Sequence, residues 1–245
     1  YDTGVPYLDQ HLGVLLNALA DLGVLDEPAV DAGADHGESL GEMNVWGDHH
    51  FADDLTCRVP LVVRWPGLSP RVYRGLHYQF DWAATLLELA GGTVPDGWDG
   101  ASFAAALRAG GEEGRKFLVT SQGAWTCQRG VRFGPYLCLR TYHDGYLDLP
   151  DVLLFDLEAD PHEQRDLAPE RPEVVAQAMG LLEDWRHEML RASPRDTDPL
   201  MTVLREGGPY QVRGRLGAYL ERLRATGRAE HAERLAARHP AEMSR

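Results

Sequence analysis

Two stretches decide the fold, VDAGADHGESLGE at residues 30–42 and RVPLVVRWPG at residues 58–67. Residues 29–34 form a short strand-like run, and the adjacent residues Asp35 and His36 follow it directly. Residues 59–65 predict a second, more strongly apolar strand. In open α/β sheets, ligands bind beyond the carboxyl ends of the strands. We therefore expect Asp35 and His36 to lie at a ligand-binding edge of an α/β domain.

The composition is that of a globular protein, with 44% hydrophobic and 25% charged residues in a chain of 245. The net charge of −14 disfavours a nucleic-acid partner, because nothing would offset repulsion from phosphates. No run approaches the ~20 apolar residues of a membrane span, so no membrane partner is expected. The basic residues are almost all arginine, and Lys116 is the only lysine.

The cysteines bear on the cellular compartment. Cys57, Cys127 and Cys138 are an odd number without metal-type spacing, which favours a reduced cytoplasmic protein over a secreted disulfide framework. No signal peptide is visible. Because residue 1 is Tyr and the chain opens almost directly on a helix, we expect the natural protein to extend upstream.

The first predicted domain, residues 1–112, combines helices with the two strands. Apolar residues at helical spacing from Val5 to Leu22 predict an amphipathic helix that Gly23 ends. A second helix begins at Asp81 and carries a further apolar face.

A change of pattern near residue 112 predicts a smaller second domain over residues 113–192. Short runs broken by Gly, Pro and Asp predict an antiparallel meander, over residues 117–121, 128–133, 136–142 and 152–157. Pro172 then opens a helix with an apolar stripe. The remaining residues, 193–245, predict an extended polar linker over 193–214 and a helical tail with one basic-faced helix over 215–238.

Asp35 and His36 are the candidate metal ligands. From Asp-His-Gly alone, a strand-end turn with a solvated histidine is the simpler interpretation, because so short a motif recurs by accident. The strand-end position and the polar residues that follow favour a metal site, namely Glu38, Asp48, His49 and His50. Imidazole shifts the preference toward Mn²⁺ or Zn²⁺ without excluding Ca²⁺, and further ligands must come from elsewhere, since divalent ions take four to eight donors.

His49 and His50 are the candidate general acids. A histidine on a surface loop is usually solvated, but two adjacent ones near a metal edge favour a role for one in proton transfer. A phosphate-binding glycine loop, a Gly-x-Ser-x-Gly elbow and zinc-type Cys or His spacing are absent from the sequence.

The Asp35-His36-Gly37-Glu38-x-Leu40-Gly41 run, followed by residues 58–67, resembles the sulfatases of the alkaline phosphatase superfamily, of the arylsulfatase and choline-sulfatase type. Three other segments match in the same order, at residues 1–16, 81–103 and 131–168. The resemblance covers roughly residues 1–190 and corresponds to the C-terminal half of such an enzyme.

This resemblance implies an α/β fold that is part of an alkaline-phosphatase-like sandwich, with a smaller C-terminal antiparallel sheet plus helix. It also implies metal-dependent hydrolysis of a small-molecule sulfate ester. Asp35 and His36 would be two ligands of a single divalent cation, with Ca²⁺ expected from the family and Mn²⁺ as the alternative. The nucleophile would be a formylglycine, made from the Cys or Ser of a Cys/Ser-x-Pro-x-Arg motif in the N-terminal half.

The sequence departs from the family in two ways. It contains no Cys/Ser-x-Pro-x-Arg motif, so residues 1–245 alone are predicted to be inactive. Many members place a lysine nine residues before the Arg of Arg-Val-Pro, and here His49 stands nine residues before Arg58. We expect His49 to take over the contact with sulfate and the protonation of the leaving group.

Two alternatives remain open from the sequence. Phosphonate monoester and phosphodiester hydrolases of the same superfamily share the Asp-His-Gly edge. A non-catalytic binding domain is the alternative if the natural chain starts near Tyr1, and the basic helix over residues 213–238 would then suit contacts in a homo-oligomer.

Overall fold

The computed structural model describes residues 1–194 and 197–243. The elements follow in chain order: α1 (Gly4–Asp21), β1 (Val30–Gly33), β2 (Ser39–Leu40), β3 (Trp46–Asp48), α2 (Asp54–Cys57), β4 (Leu61–Arg64), α3 (Gln79–Leu89), α4 (Ala104–Ala109), β5 (Phe117–Gln122), β6 (Cys127–Phe133), β7 (Tyr136–His143), β8 (Val152–Asp156), α5 (Pro172–Ala192), α6 (Pro199–Arg205), α7 (Leu216–Ala225) and α8 (Ala229–Arg238). They fall into two compact units, unit 1 with residues 1–35, 59–75 and 79–113, and unit 2 with residues 36–58, 76–78 and 114–245. The domain limits proposed from the sequence stay predictions. Among the described residues, no helix combines the length and the apolar character that crossing a membrane requires.

Unit 1 contains the predicted first helix. Helix α1 ends shortly before Gly23, whose φ of +72° suits glycine and would strain a larger residue. No residue of α1 is buried, and Val5 and Leu8 are 57% and 61% exposed. The apolar stripe that predicts this helix is therefore left uncovered by the described residues.

Both strands predicted in unit 1 are confirmed, and they pair with each other. Strand β1 runs antiparallel to β4, with Val30 opposite Arg64 and Gly33 opposite Leu61. The chain that leaves β1 toward Asp35 therefore starts beside the first residue of β4. Val62 of β4 is 68% exposed, so the pair leaves this apolar side chain uncovered by the described residues.

Unit 2 is built on the predicted meander. Strands β5, β6, β7 and β8 form one antiparallel sheet in that order. Because successive side chains point to opposite faces, the sheet buries two separate clusters. One face packs against the predicted helix α5 through Val131, Cys138 and Leu154, and the other buries residues that include Leu137 and Phe155.

The segment after α5 differs from the sequence prediction. Residues 193–214 were expected to be an extended linker, but Pro199–Arg205 form α6, whose first turn is capped by Asp198 accepting from the Leu200 amide at 2.9 Å. Leu200 is buried, and Asp198 pairs with Arg129 of the sheet at 2.7 Å. Residues 198–205 are therefore held by contacts with residues far away in sequence, whereas residues 195 and 196 of the expected linker lie outside the described part of the chain.

The single helix expected over residues 215–238 is two helices. Helix α7 ends at Ala225 and α8 begins at Ala229, with Gly227 between them at a φ of +77°. Thr226 donates its hydroxyl back to the Arg222 carbonyl at 2.8 Å, which helps to end α7. The two helices bury Leu220, Leu223 and Leu235 in one cluster with Tyr146.

Candidate active site

The Asp-His-Gly motif follows β1 after one intervening residue. Asp35 is the last residue of the first segment of unit 1, residues 1–35, and His36 is the first residue of unit 2. Both side chains are exposed. The His36 Nδ1 atom lies 2.7 Å from the Gly37 carbonyl oxygen. The motif therefore presents a carboxylate and an imidazole, donors that suit a divalent cation, on consecutive residues.

Gly37 fixes the backbone directly after His36. Its amide donates to the Thr56 carbonyl at 2.8 Å. A Cβ atom at this position would lie 2.0 Å from the Leu55 carbonyl oxygen, inside van der Waals contact. Only glycine allows this approach to α2, which explains the third residue of the motif.

His49 lies beside His36. Their ring centroids are 4.0 Å apart, and the ring planes are tilted by 31°. His49 follows β3 directly, and its carbonyl accepts a hydrogen bond from Gln122 Nε2 at 2.8 Å. The side chain of His49 is 43% exposed, so it is both held by the backbone and open to a ligand.

His50 turns away from this pair. Its ring stacks on Trp125 with centroids 4.2 Å apart, and its carbonyl accepts from the Thr126 hydroxyl at 2.8 Å. The side chain of His50 is only 18% exposed. The structure therefore separates the two adjacent histidines, one beside His36 and one packed on an indole.

Asp48 lies between the two histidines. Its Oδ1 accepts from the His49 amide at 2.8 Å and lies 3.4 Å from His49 Nδ1, and its Oδ2 lies 3.1 Å from His50 Nε2. Partial burial raises the pKa of Asp48, but the hydrogen bonds from His49 and His50 and the charges of their imidazoles outweigh it, so the pKa lies below its ordinary value. Asp48 is thus an anion that lies beside both rings.

Two buried acids support α2, on which Gly37 rests. Asp53 caps the helix, accepting from the Thr56 amide at 2.8 Å, and Glu163 Oε1 accepts from the Asp54 amide at 2.9 Å. Asp53 and Glu163 are 0% and 2% exposed. Burial, together with the Asp53 charge, raises the pKa of Glu163 to about 8. Glu163 is therefore mostly protonated at neutral pH.

The side chains of Asp35 and His36 are chemically suitable metal ligands, but two donors do not complete the coordination of a metal ion. Within residues 1–194 and 197–243, no group of three His, Cys, Asp or Glu side chains with closely spaced ligand atoms includes Asp35 or His36. A divalent ion takes four or more donors, so Asp35 and His36 alone would not complete its coordination. The roles predicted for Asp35, His36 and His49 stay predictions.

Sequence reasoning missed Gln122 and gave Asp48 no specific role. Gln122 lies on β5, 73 residues away from His49 in the chain, so no local pattern could signal it. Asp48 carries a signal that could have been used, because an acid directly before two histidines can bond both.

The folded chain resembles known hydrolases. It superposes with a TM-score of 0.66 and 25% identity on the structure of BT4656 in complex with its substrate D-glucosamine-2-N,6-O-disulfate, covering 79% of this chain and 41% of that one. The phosphonate monoester hydrolase SpPMH from Silicibacter pomeroyi matches with a TM-score of 0.59 at 22% identity, covering 77% of this chain and 40% of that one. The fold is that of the alkaline phosphatase-like hydrolases.

The sequence comparisons give the family. Residues 1–92 match the family model described as Sulfatase. The choline-sulfatase of Rhizobium meliloti (strain 1021) is 30% identical over 183 residues, which are 73% of this chain and 34% of that protein. The chain belongs to the sulfatase family. It spans about a third of the length of the curated choline-sulfatase that it matches.

Proposed function

We propose that this chain is the part of a metal-dependent sulfatase that supplies two metal ligands, Asp35 and His36, and a catalytic histidine, His49. The observation that carries the proposal is the approach of His49 to His36, with ring centroids 4.0 Å apart. This proximity supports the proposal, because a general acid must lie close to the bond that it helps to break.

The metal ion would be held by the Asp35 carboxylate and the His36 imidazole, together with ligands from outside this chain. When bound, a divalent ion polarises the sulfuryl oxygens and offsets the charge that develops on them. Ca²⁺ is the proposed ion, and Mn²⁺ is the alternative because one donor is an imidazole. The nucleophile is proposed to be a formylglycine, for which residues 1–245 hold no Cys/Ser-x-Pro-x-Arg motif.

His49 would act on the leaving group. In its protonated form it would donate a hydrogen bond to the ester. As the nucleophile forms its bond to sulfur and the bond from sulfur to the leaving oxygen breaks, the His49 N–H proton would pass to that departing oxygen. Asp48 holds the ring for this step, since it lies 3.4 Å from His49 Nδ1. Gln122 fixes the backbone of the same residue from β5.

The proposed substrate is a small-molecule sulfate ester. Support comes from the choline-sulfatase relative and from the disulfated glucosamine bound by BT4656. The phosphonate monoester hydrolase shares the fold at 22% identity, so phosphonate esters are the second candidate class.

The test uses the natural polypeptide that contains these residues, assayed on 4-nitrophenyl sulfate and on a 4-nitrophenyl phosphonate monoester. We expect sulfate turnover that chelation abolishes, that added Ca²⁺ or Mn²⁺ restores, and that His36→Ala removes. The matched control is His162→Ala, since His162 is an exposed histidine paired with Glu42 outside this site. Preferential phosphonate turnover would support the second class, and a folded protein inactive on both would support a binding domain.

A further inference from the structure

The turn between β5 and β6, residues 123–126, contacts the loop that carries the two adjacent histidines. Trp125 in this turn is partly buried, and its indole stacks on the His50 ring with centroids 4.2 Å apart and planes tilted by 28°. The neighbouring Thr126 donates its hydroxyl to the His50 carbonyl at 2.8 Å. The turn therefore holds His50 both by its ring and by its backbone.

His50 is linked to the proposed proton donor through Asp48. The Oδ2 atom of Asp48 lies 3.1 Å from His50 Nε2. The Oδ1 atom accepts from the His49 amide at 2.8 Å and lies 3.4 Å from His49 Nδ1. A displacement of the His50 ring would therefore disturb the carboxylate that lies beside His49. Trp125 can act on His49 in this way, through two intervening side chains.

The same turn fixes the backbone of His49 by a second route. Gln122 Oε1 accepts from the amides of Gly123 and Ala124 at 2.9 and 2.8 Å. These two hydrogen bonds direct the Gln122 Nε2 group to the His49 carbonyl, to which it donates at 2.8 Å. A shift of the turn would therefore reach His49 through Gln122 as well as through His50.

The C-terminal helices pack against this turn. Trp125 contacts the buried cluster that holds α7 and α8 together. The Ala124 carbonyl accepts from the Gln211 amide at 2.9 Å. A Cβ atom on Gly123 would lie 3.4 Å from Leu200 Cδ1, so α6 lies against the turn as well. Helices α6, α7 and α8 thus support the turn that holds His50.

We propose that Trp125 is a positioning residue for His49, which it holds in place through His50 and Asp48, with the C-terminal helices as its support. This inference rests on the proposed role of His49 as the general acid. It gives α6, α7 and α8 a part in catalysis, although the match to the family model ends at residue 92. Stacked aromatic rings prefer a defined geometry, so an aliphatic side chain in place of Trp125 would keep apolar packing but lose the direction of the His50 ring.

The kinetic test compares Trp125→Leu and Trp125→Phe in the natural polypeptide, on 4-nitrophenyl sulfate and on phenyl sulfate, whose leaving group is poorer. We expect Trp125→Leu to lower kcat by about 10-fold with little change in KM, since misplacement by about 1 Å can cost as much as about 10²-fold. The loss should be larger on phenyl sulfate, because a poor leaving group depends more on the proton from His49. Trp125→Phe keeps an aromatic ring on His50 and should recover most of the rate.

Amide hydrogen exchange over residues 46–52 tests the positioning without relying on activity. Exchange there should be faster in Trp125→Leu and in His50→Leu, which removes the other ring of the pair, and close to that of the parent in Trp125→Phe. The matched control is Trp185→Leu. Trp185 is a partly buried tryptophan that packs with α5 on the opposite face of the sheet from Ala52, so its loss should change neither this exchange nor the ratio of the rates on the two substrates.

The outcomes separate this inference from the proposed function. An active parent, with unchanged exchange and kinetics in folded Trp125→Leu and His50→Leu, would overturn the inference and leave the sulfatase proposal standing. Equal losses on the two substrates in Trp125→Leu would also overturn it, because they would show an effect that does not act through proton donation. A parent inactive on both sulfates would count against the proposed function, and the exchange measurements would still decide whether Trp125 holds the loop of His49. Circular dichroism checks folding, and His50→Leu supplies the same measurements if Trp125→Leu misfolds.

Discussion

The imidazole rings of His36 and His49 lie with their centroids 4.0 Å apart, although thirteen positions separate them in the chain. Strands β2 and β3 pair antiparallel between them and return the chain to its starting point, with Ser39 opposite Asp48. The residue proposed to bind the metal and the residue proposed to donate a proton are thus brought together by a short hairpin.

Replacement of His49 tests its catalytic role. In the natural polypeptide, His49→Ala should lower kcat for 4-nitrophenyl sulfate by about 10²-fold or more, the usual scale for a general acid. His49→Lys should recover part of the loss, because an ammonium group can contact the sulfate and donate a proton. Steady-state kinetics measure both variants, with His162→Ala as the control. A loss smaller than about threefold in folded His49→Ala would remove His49 from the mechanism.

Asp48→Asn tests the orientation of the two histidines. The carboxylate accepts from the His49 amide and lies within 3.4 Å of both imidazoles, so an amide in its place should weaken the placement of His49. We expect kcat to fall by about 10-fold or more, as for other residues that support a functional side chain, with a smaller change in KM. The rates with a substrate that carries a better leaving group should fall less, because that substrate needs less proton donation. Equal losses on both substrates would argue against this role.

Much of the fold could be predicted because its signals are local. The meander over residues 117–157 is marked by short apolar runs between turn residues, and α5 is marked by Pro172 and a stripe of apolar residues. Helix α6 was missed although Asp198 and Pro199 are a local helix-start signal before apolar residues; only the contact of Asp198 with Arg129 has no local signal. The break between α7 and α8 was signalled by Gly227, whose effect depends on its positive φ.

The candidate site was predictable only in part, for a similar reason. Asp35, His36 and His49 stand out in the sequence, because metal-ligand residue types follow a strand there. The separation of His49 from His50 depends on Trp125 and Gln122, which reach the loop from the meander.

Gly37→Ala tests the packing of the motif on α2. A Cβ atom would lie 2.0 Å from the Leu55 carbonyl oxygen, so backbone must move. We expect the free energy of unfolding to fall by about 3 kcal/mol, the upper range for overpacking. The control is Gly217→Ala in α7, which meets no atom within 4 Å and should be neutral or stabilising. Chemical denaturation measures both, and similar stabilities for the two variants would contradict the close approach.

Glu163→Gln tests the raised pKa of a buried acid. Burial, with the Asp53 charge, holds the folded-state pKa of Glu163 at about 8, whereas its ordinary value is 4.5. Between these values the unfolded chain binds fewer protons than the folded one, so the stability from this group is complete below pH 4.5 and is lost as pH rises through 8. Glu163→Gln should remove this decline, whose slope is at most about 1.4 kcal/mol per pH unit.

Denaturation at several pH values between 4.5 and 8.5 measures the effect. The control is Glu170→Gln, an exposed carboxylate paired with Arg165, which should leave the slope of the parent protein unchanged. An unchanged slope in Glu163→Gln would mean that Glu163 titrates in the folded protein much as it does in the unfolded chain.

Replacement of Arg129 and Asp198 tests how α6 is held on the sheet. The pair is 2.7 Å apart with both side chains nearly buried, and Arg129 also lies over the Trp185 ring at 4.8 Å. Arg129→Met leaves the Asp198 carboxylate buried without its main cation, which should lower the free energy of unfolding by about 3–5 kcal/mol. The double variant Arg129→Met/Asp198→Asn should be less unstable than Arg129→Met alone, because it removes the buried charge that has lost its partner.

Arg186→Met is the control, since Arg186 lies 3.7 Å from Asp198 and is 42% exposed, and it should change stability by about 1 kcal/mol or less. Additive effects of the two changes would show that the segment is held by its apolar contacts, such as Leu200, and not by this ion pair.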